Sequence, residues 1–186
     1  MALKTTVVVG NITNLSDARY CAGMGVDYLC FPAHRINPKT FEEITGWVSG
    51  PTFVLDVSQV GDIKATLEQY NTDHILLTTH QLEFLPILRG KKLIMRLDSS
   101  LINLNFHREN QPKEILFLLA EESQIADFSR EKGFSTLVKV QEASSLESLL
   151  QQKVAGSWLD GSDEDRPGLK DYSTLEVVLE QLEMEA

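Results

Sequence analysis

Polar residues follow several apolar runs of this 186-residue sequence, and their side chains are the ones that could do chemistry. Asp56 ends the run "TFVLD", Arg96 and Asp98 lie in "IMRLD", and His80 follows "LLTT". Carboxylate and imidazole groups can transfer protons, and a guanidinium can hold an anion through paired hydrogen bonds. These residues predict either a small polar site of both charge signs or structural ion pairs, such as Arg96 with Asp56 or Asp98.

Eight short apolar, β-branched runs predict the strands that must position these side chains. The runs cover residues 5–9, 27–31, 52–57, 74–78, 92–97, 114–120, 135–140 and 156–161. Helical patterns separate most of them, at residues 16–24, 38–48, 60–70, 81–88, 123–132 and 144–153, and an amphipathic helix is predicted at 171–184. The connection 98–113 has no helical period and is predicted to be an irregular loop.

Repeated strand and helix units favour a parallel sheet, because parallel neighbours need crossover connections. Eight such units predict an α/β fold, a compact (β/α)8 TIM barrel that forms a single domain over residues 1–186. The chain is slightly short for this fold, so we expect trimmed loops. An open doubly wound sheet is the alternative. In a barrel, residues at the C-terminal ends of the strands are the site candidates.

The amino-acid composition limits the classes of molecule that this protein is expected to bind. The formal net charge is −10, which disfavours binding to nucleic acid and to anionic membranes. The two cysteines, Cys21 and Cys30, are predicted to be buried free thiols. No signal peptide, membrane span, nucleotide-binding motif or metal-ligand spacing is recognised, so we expect a cytoplasmic protein without cofactor or metal. Either a monomer or a homodimer is compatible with the sequence.

The segment "GNITNLSDARYCAGMGVDYLCF" (10–31) resembles the start of the phosphoribosylanthranilate isomerase family of tryptophan biosynthesis. That family opens with a strand ending in Lys-Ile-Cys-Gly, followed by Ile-Thr and then by Asp-Ala in a helix. "FPAHRINPKT" (31–40) is similar to the next family segment, and "DRPGLKD" (165–171) to its Pro-Gly-x-Lys-Asp stretch. The resemblance implies a (β/α)8 barrel and a cofactor-free Amadori rearrangement of a phosphorylated ribosylamine.

The resemblance also implies where the proton-transfer groups should lie. In the family the base is the Cys that ends the first strand and the acid is an Asp that ends the sixth. When Gly10 is aligned with the family glycine, Val9 occupies the cysteine position, and Asn11 is expected to share the strand face of Val9. Ala120 occupies the position of the acid. Glu121 or Glu122 could supply a shifted carboxylate, or could form the acidic first turn of a helix.

Ligand-binding candidates come from the same resemblance and from the last loop. Arg35 matches the family arginine that faces the anthranilate carboxylate, or is a surface arginine near a helix start. The loop after the eighth strand keeps Ser162 but places four acidic residues within 160–165, beginning with Asp160. These carboxylates would repel a phosphate dianion unless cations such as Lys139 or Arg166 intervene.

Three functions follow as hypotheses. The first is a diverged isomerase-like barrel without the standard activity, with a mouth pocket for a small carboxylate or sugar phosphate. The second is an active isomerase with a displaced acid/base pair, Glu121 or Glu122 with Asp160 or Asp56. The third is a non-catalytic binding or scaffolding barrel. Two facing proton-transfer groups in an open mouth would favour an enzyme, and a plugged or fully ion-paired mouth would favour binding.

Overall fold

Eight parallel strands close into a barrel in chain order in the computed structural model, which describes residues 3–97, 114–124, 135–141, 143–146, 154–161 and 172–184. The strands are β1 Thr6–Gly10, β2 Tyr28–Pro32, β3 Thr52–Asp56, β4 His74–Thr78, β5 Lys92–Arg96, β6 Ile115–Ala120, β7 Thr136–Lys139 and β8 Gly156–Asp160. β1 pairs with β8 over five residues, from Thr6 with Gly156 to Gly10 with Asp160. The predicted TIM barrel is confirmed.

Side chains alternate between the inside and the outside of the barrel, as the two-residue period of a strand requires. The interior cluster takes one central residue from each strand: Val8, Cys30, Val54, Leu76, Ile94, Leu119, Leu137 and Trp158. Neighbours such as Val7, Val9, Leu29 and Leu55 belong to a larger cluster between the sheet and its helices. Strands buried on both faces account for the almost unbroken apolar runs in the sequence.

Polar side chains begin the helices that follow β1 and β2. The Asn14 side chain accepts a hydrogen bond from the Asp17 N–H at 2.9 Å, where α1 (Leu15–Gly23) starts. Asn37 does the same for the Thr40 N–H at 2.9 Å, and Pro38 opens α2 (Pro38–Trp47). These are typical helix N-terminal residues. α3 is short (Ile63–Leu67), and α4 is Ser173–Leu182.

Some predicted helices differ from the structure. The helix predicted at 60–70 is only Ile63–Leu67, and it begins at residue 63 because Asp62 caps it by accepting from the Ala65 N–H at 3.0 Å. The helix predicted at 81–88 is a 3₁₀ segment over Thr79–Leu88 that is interrupted at Gln81. Two further 3₁₀ turns lie at Glu122–Gln124 and Ala143–Ser145. The predicted loop 98–113, and most of the predicted helices 123–132 and 144–153, lie outside the described residues.

The two ends of the described chain meet beside the barrel. The Lys4 N–H donates to the Leu182 carbonyl at 2.8 Å, and Leu3 forms an antiparallel bridge with Glu183. Leu179 and Leu182 of α4 are fully buried in the outer cluster. Within the described ranges, none of the helices has the length and apolar character needed to cross a bilayer.

Candidate functional site

The C-terminal ends of the strands form a ring of inward-facing residues at the mouth of the barrel. Each member lies two positions after an interior residue of the same strand and therefore shares its face. The ring consists of Gly10, Pro32, Asp56, Thr78, Arg96, Glu121, Lys139 and Asp160. Five of these eight positions carry a charged side chain, so the strand pattern concentrates charge at the end of the barrel where sites of this fold lie.

A cavity of about 350 Å³ opens at this mouth. Its described ionisable lining is Asp56, Arg96, Glu121, Lys139, Asp160 and His34. Asn11 and Trp158 also contribute to its wall. The cavity is large enough for a small organic ligand, near the lower end of the range for such sites.

Asp56 and Arg96 form an ion pair across the cavity wall. Arg96 Nη2 lies 3.4 Å from Asp56 Oδ2, and Nη1 lies 3.5 Å from Ser58 Oγ. The Ser58 N–H donates to Asp56 Oδ1 at 2.8 Å, which holds this buried carboxylate in place. The ion pair that the sequence allowed is therefore present.

A second ion pair joins the last two strands. Lys139 Nζ lies 2.7 Å from Asp160 Oδ2, and the Trp158 indole N–H donates to Asp160 Oδ1 at 2.9 Å. Arg96 lies over the Trp158 ring, with its Cζ 5.9 Å from the ring centroid. A guanidinium at that distance is attracted by the negative face of the ring. Trp158 thus links the two ion pairs across the mouth.

The end of β1 presents no functional side chain to the mouth. Val8 is in the interior cluster and Val9 packs into the outer cluster, so the next inward position is Gly10. A Cβ added at Gly10 would lie 2.4 Å from Trp158 Cζ2. The Trp158 indole therefore occupies the space into which a side chain at this position would project.

Asn11 does not share the strand face of Val9, which corrects the expectation from the sequence. Its φ is +58°, in the left-handed region, so the alternation of the strand ends at Gly10. Asparagine is one of the few non-glycine residues that adopts this conformation readily. The residue lines the mouth cavity and is the first residue after β1.

Glu121 is the carboxylate that β6 offers to the mouth. Leu119 is interior and Leu118 belongs to the outer cluster, so the inward position after Leu119 is Glu121 and not Ala120. Glu121 and Glu122 are both exposed, but only Glu121, together with Ala120, belongs to the described lining of the cavity. The Glu121 N–H donates to Gln124 Oε1 at 2.9 Å, which fixes the backbone there.

The remaining predicted ligand-binding residues lie elsewhere. Arg35 and His80 are exposed and are not part of the described cavity lining. Asp98 and Ser162 lie outside the described residues, as does nearly all of the acidic loop after β8.

The thiol of Cys30 is not a candidate base for the mouth. Cys30 is in the barrel interior below the mouth, and burial, followed by the nearby charge of Asp56, raises the pKa of its thiol well above the usual range. A protonated, inaccessible thiol is neither a base nor a nucleophile at neutral pH. Among the residues that the structure describes, no group of three His, Cys, Asp or Glu side chains is arranged to hold a metal ion.

Sequence reasoning missed the role of Trp158 and the contribution of His34. The pattern "GSWLD" did contain a signal, because Trp158 and Asp160 share one face of a predicted strand. Lys139, which the sequence offers as a counter-charge for phosphate, has Asp160 as its partner in the structure.

The fold is shared with solved structures of phosphoribosylanthranilate isomerase. The enzyme from Thermus thermophilus superposes with a TM-score of 0.73 at 17% identity, over 95% of this chain and 98% of that chain. The enzyme from Thermotoga maritima gives 0.69 at 15% identity, over 96% of this chain and 98% of that chain.

A third such structure was solved in complex with reduced 1-(o-carboxyphenylamino)-1-deoxyribulose 5-phosphate. It gives a TM-score of 0.72 at 15% identity, over 95% of this chain and 97% of that chain. No family model and no curated protein matches the sequence. This chain therefore has the isomerase-like barrel fold, and at such identities the likeness concerns the fold alone, since one fold hosts many functions.

Proposed function

We propose that this barrel does not perform the Amadori rearrangement and that its mouth is instead a pocket for a small molecule. The observation that carries the proposal is Gly10 at the end of β1, with the Trp158 indole where its side chain would be. The end of β1 therefore supplies no side chain that could transfer a proton at the mouth. Each such group typically contributes roughly 10²–10⁴-fold to the rate.

The register of the opening motif supports the same conclusion. Without a gap, Val8 to Thr13 pair with the family's Lys-Ile-Cys-Gly-Ile-Thr, so Gly10 falls on the cysteine and Asn11 on the glycine. The left-handed φ of Asn11 suits a glycine position, and the following Ile-Thr then matches directly. In this register the base position holds a residue with no side chain, and the valine assigned from the gapped alignment faces the helices.

A second candidate is an active isomerase with a displaced acid/base pair. The observation that favours it is Glu121, whose carboxylate lines the mouth directly after β6, where the family has its acid. Its partner would have to be Asp56 or Asp160. Each of these carboxylates already contacts a cation and accepts from an N–H group, so a substrate would have to share it with those partners.

The test is a fluorescence assay with phosphoribosylanthranilate generated in situ and purified protein at high concentration. We expect no turnover above the protein-free blank. Turnover that is abolished by Glu121→Gln or by Asp160→Asn, and retained in Glu122→Gln, would establish the displaced pair and overturn the proposal. Glu122 is the matched control because it is an exposed neighbour outside the described cavity lining.

A further inference from the structure

We propose that the mouth binds a small zwitterion, a molecule with one ammonium group and one carboxylate, in preference to a sugar phosphate. Glu121 would receive the ammonium group and Arg96 the carboxylate. The inference rests on the proposed function, because it assigns a ligand class to the same pocket.

The charge of the pocket disfavours a phosphate dianion. Three carboxylates and two cations line the cavity among the described residues, which leaves one negative charge when His34 is neutral. The whole chain, including these residues, carries a formal net charge of −10. A dianion would enter against this potential, whereas a ligand with no net charge would not.

Glu121 is suited to bind the ammonium group. Asp56 and Asp160 each have a cation within ion-pair distance, but none of the described cations lies that close to the Glu121 carboxylate. A cavity-wall carboxylate with no counter-ion in the described part of the chain favours a ligand that supplies one, because charge-assisted hydrogen bonds are stronger than neutral ones.

Arg96 is suited to bind the carboxylate. Its contacts to Asp56 and Ser58 measure 3.4 and 3.5 Å, longer than the roughly 2.7–2.9 Å of a full charge-assisted hydrogen bond. A guanidinium has five N–H donors in a planar fork, so it can hold a second carboxylate while it remains near Asp56. Lys139 is less available, since it already contacts Asp160 at 2.7 Å.

The two groups are close enough for one small ligand to reach both. Arg96 of β5 is in register with Leu119 of β6, and Glu121 lies two residues further along. Adjacent strands are about 4.8 Å apart and two residues advance about 6.6 Å, so the two backbone positions are less than about 10 Å apart. An α-amino acid carries both charges, and these backbone positions are near enough for the two long side chains to converge on it.

The first experiment uses the fluorescence of Trp158 to report ligand binding at the mouth. Trp47→Phe removes the other of the two tryptophans, which is 71% exposed on the outer side of the barrel. The standard L-amino acids, ribose 5-phosphate and inorganic phosphate are titrated singly, with Trp158 emission and the thermal midpoint as independent readouts. We expect at least one amino acid to give saturable binding, and neither phosphate compound to bind at the same concentration.

Two matched comparisons make the result specific. Analogues of the amino acid that binds, lacking either its amino or its carboxylate group, should bind at least tenfold more weakly. The Glu121→Gln variant should bind the intact amino acid at least tenfold more weakly as well. Both expectations follow because loss of a hydrogen bond to a charged group costs about 1.5–3 kcal/mol. Glu122→Gln should bind normally. Arg96→Lys keeps the charge but loses the fork, and should weaken only ligands that carry the carboxylate.

The outcomes separate the two proposals. If neither Trp158 emission nor the thermal midpoint shows binding of an amino acid, the zwitterion inference is wrong. It is also wrong if Glu121→Gln and Glu122→Gln bind the amino acid with the same affinity. Binding of ribose 5-phosphate alone would overturn the inference and leave the pocket proposal standing. Turnover of phosphoribosylanthranilate would overturn the proposed function itself.

Discussion

The Trp158 indole packs against Gly10 at the mouth and leaves no room there for a side chain from β1. The indole is held by its N–H bond to Asp160 at 2.9 Å and by Arg96 over its face. Only a residue without a Cβ fits opposite it, because the added atom would lie 2.4 and 2.9 Å from two ring carbons. A side chain on β8 therefore fills the space that a side chain on β1 would otherwise take.

Gly10→Ala should destabilise the protein by about 1–3 kcal/mol, because the core would be overpacked and the indole would have to shift. Urea unfolding measures the change. The control is Gly46→Ala in α2, where an added Cβ meets nothing within 4 Å. Alanine favours a helix over glycine by up to about 1 kcal/mol, so the control should be neutral or stabilising. Similar losses in both variants would contradict the steric argument.

At the scale of elements, the turn after β1 explains why the sequence predicted the strands better than the site. The apolar runs and the Asp56, Arg96 and Asp160 positions at the mouth were predictable, because they follow from a two-residue period and from strand ends. The residue facing the mouth from β1 was not, since Gly10 served as the anchor of the alignment while Asn11 takes the glycine-like conformation. A slip of one residue exchanges the two faces of a strand.

The backbone conformation of this turn can be tested at Asn11. Asn11→Gly should be neutral or stabilising, and Asn11→Ala should cost about 1–2 kcal/mol, because alanine fits poorly at a φ of +58°. The free energy of unfolding of both variants, compared with the parent, decides the matter. If alanine were tolerated as well as glycine, the left-handed conformation and the register drawn from it would be wrong.

Apart from the ion pair of Arg96 with Asp56, contacts between elements were the part that sequence could not predict. Lys139 and Asp160 meet because β7 and β8 are in register, and Trp158 reaches β1 because it is the bulkiest residue of a narrow interior layer. Such contacts depend on how eight strands close and not on local pattern. Exposure was equally unpredictable, as the exposed positions of Arg35 and His80 illustrate.

For the whole molecule, closure depends on both ends of the chain. The five residue pairs between β1 and β8 join the first strand to the last, and α4 packs its buried side chains into the outer cluster. The main-chain hydrogen bond from the Lys4 N–H to the Leu182 carbonyl then joins the segment before β1 to the end of that helix. The C-terminal helix is thus part of the barrel core and should not be removable.

Leu179→Ala should destabilise the whole barrel by about 2–5 kcal/mol, because a fully buried leucine of α4 would be replaced by a cavity. Val177→Ala is the matched control on the same helix, since its side chain is 46% exposed and its loss should cost little. Urea unfolding should show one cooperative transition in each variant, with the midpoint lowered only for Leu179→Ala. A separate early transition in Leu179→Ala would mean that α4 unfolds independently and that the barrel closes without it.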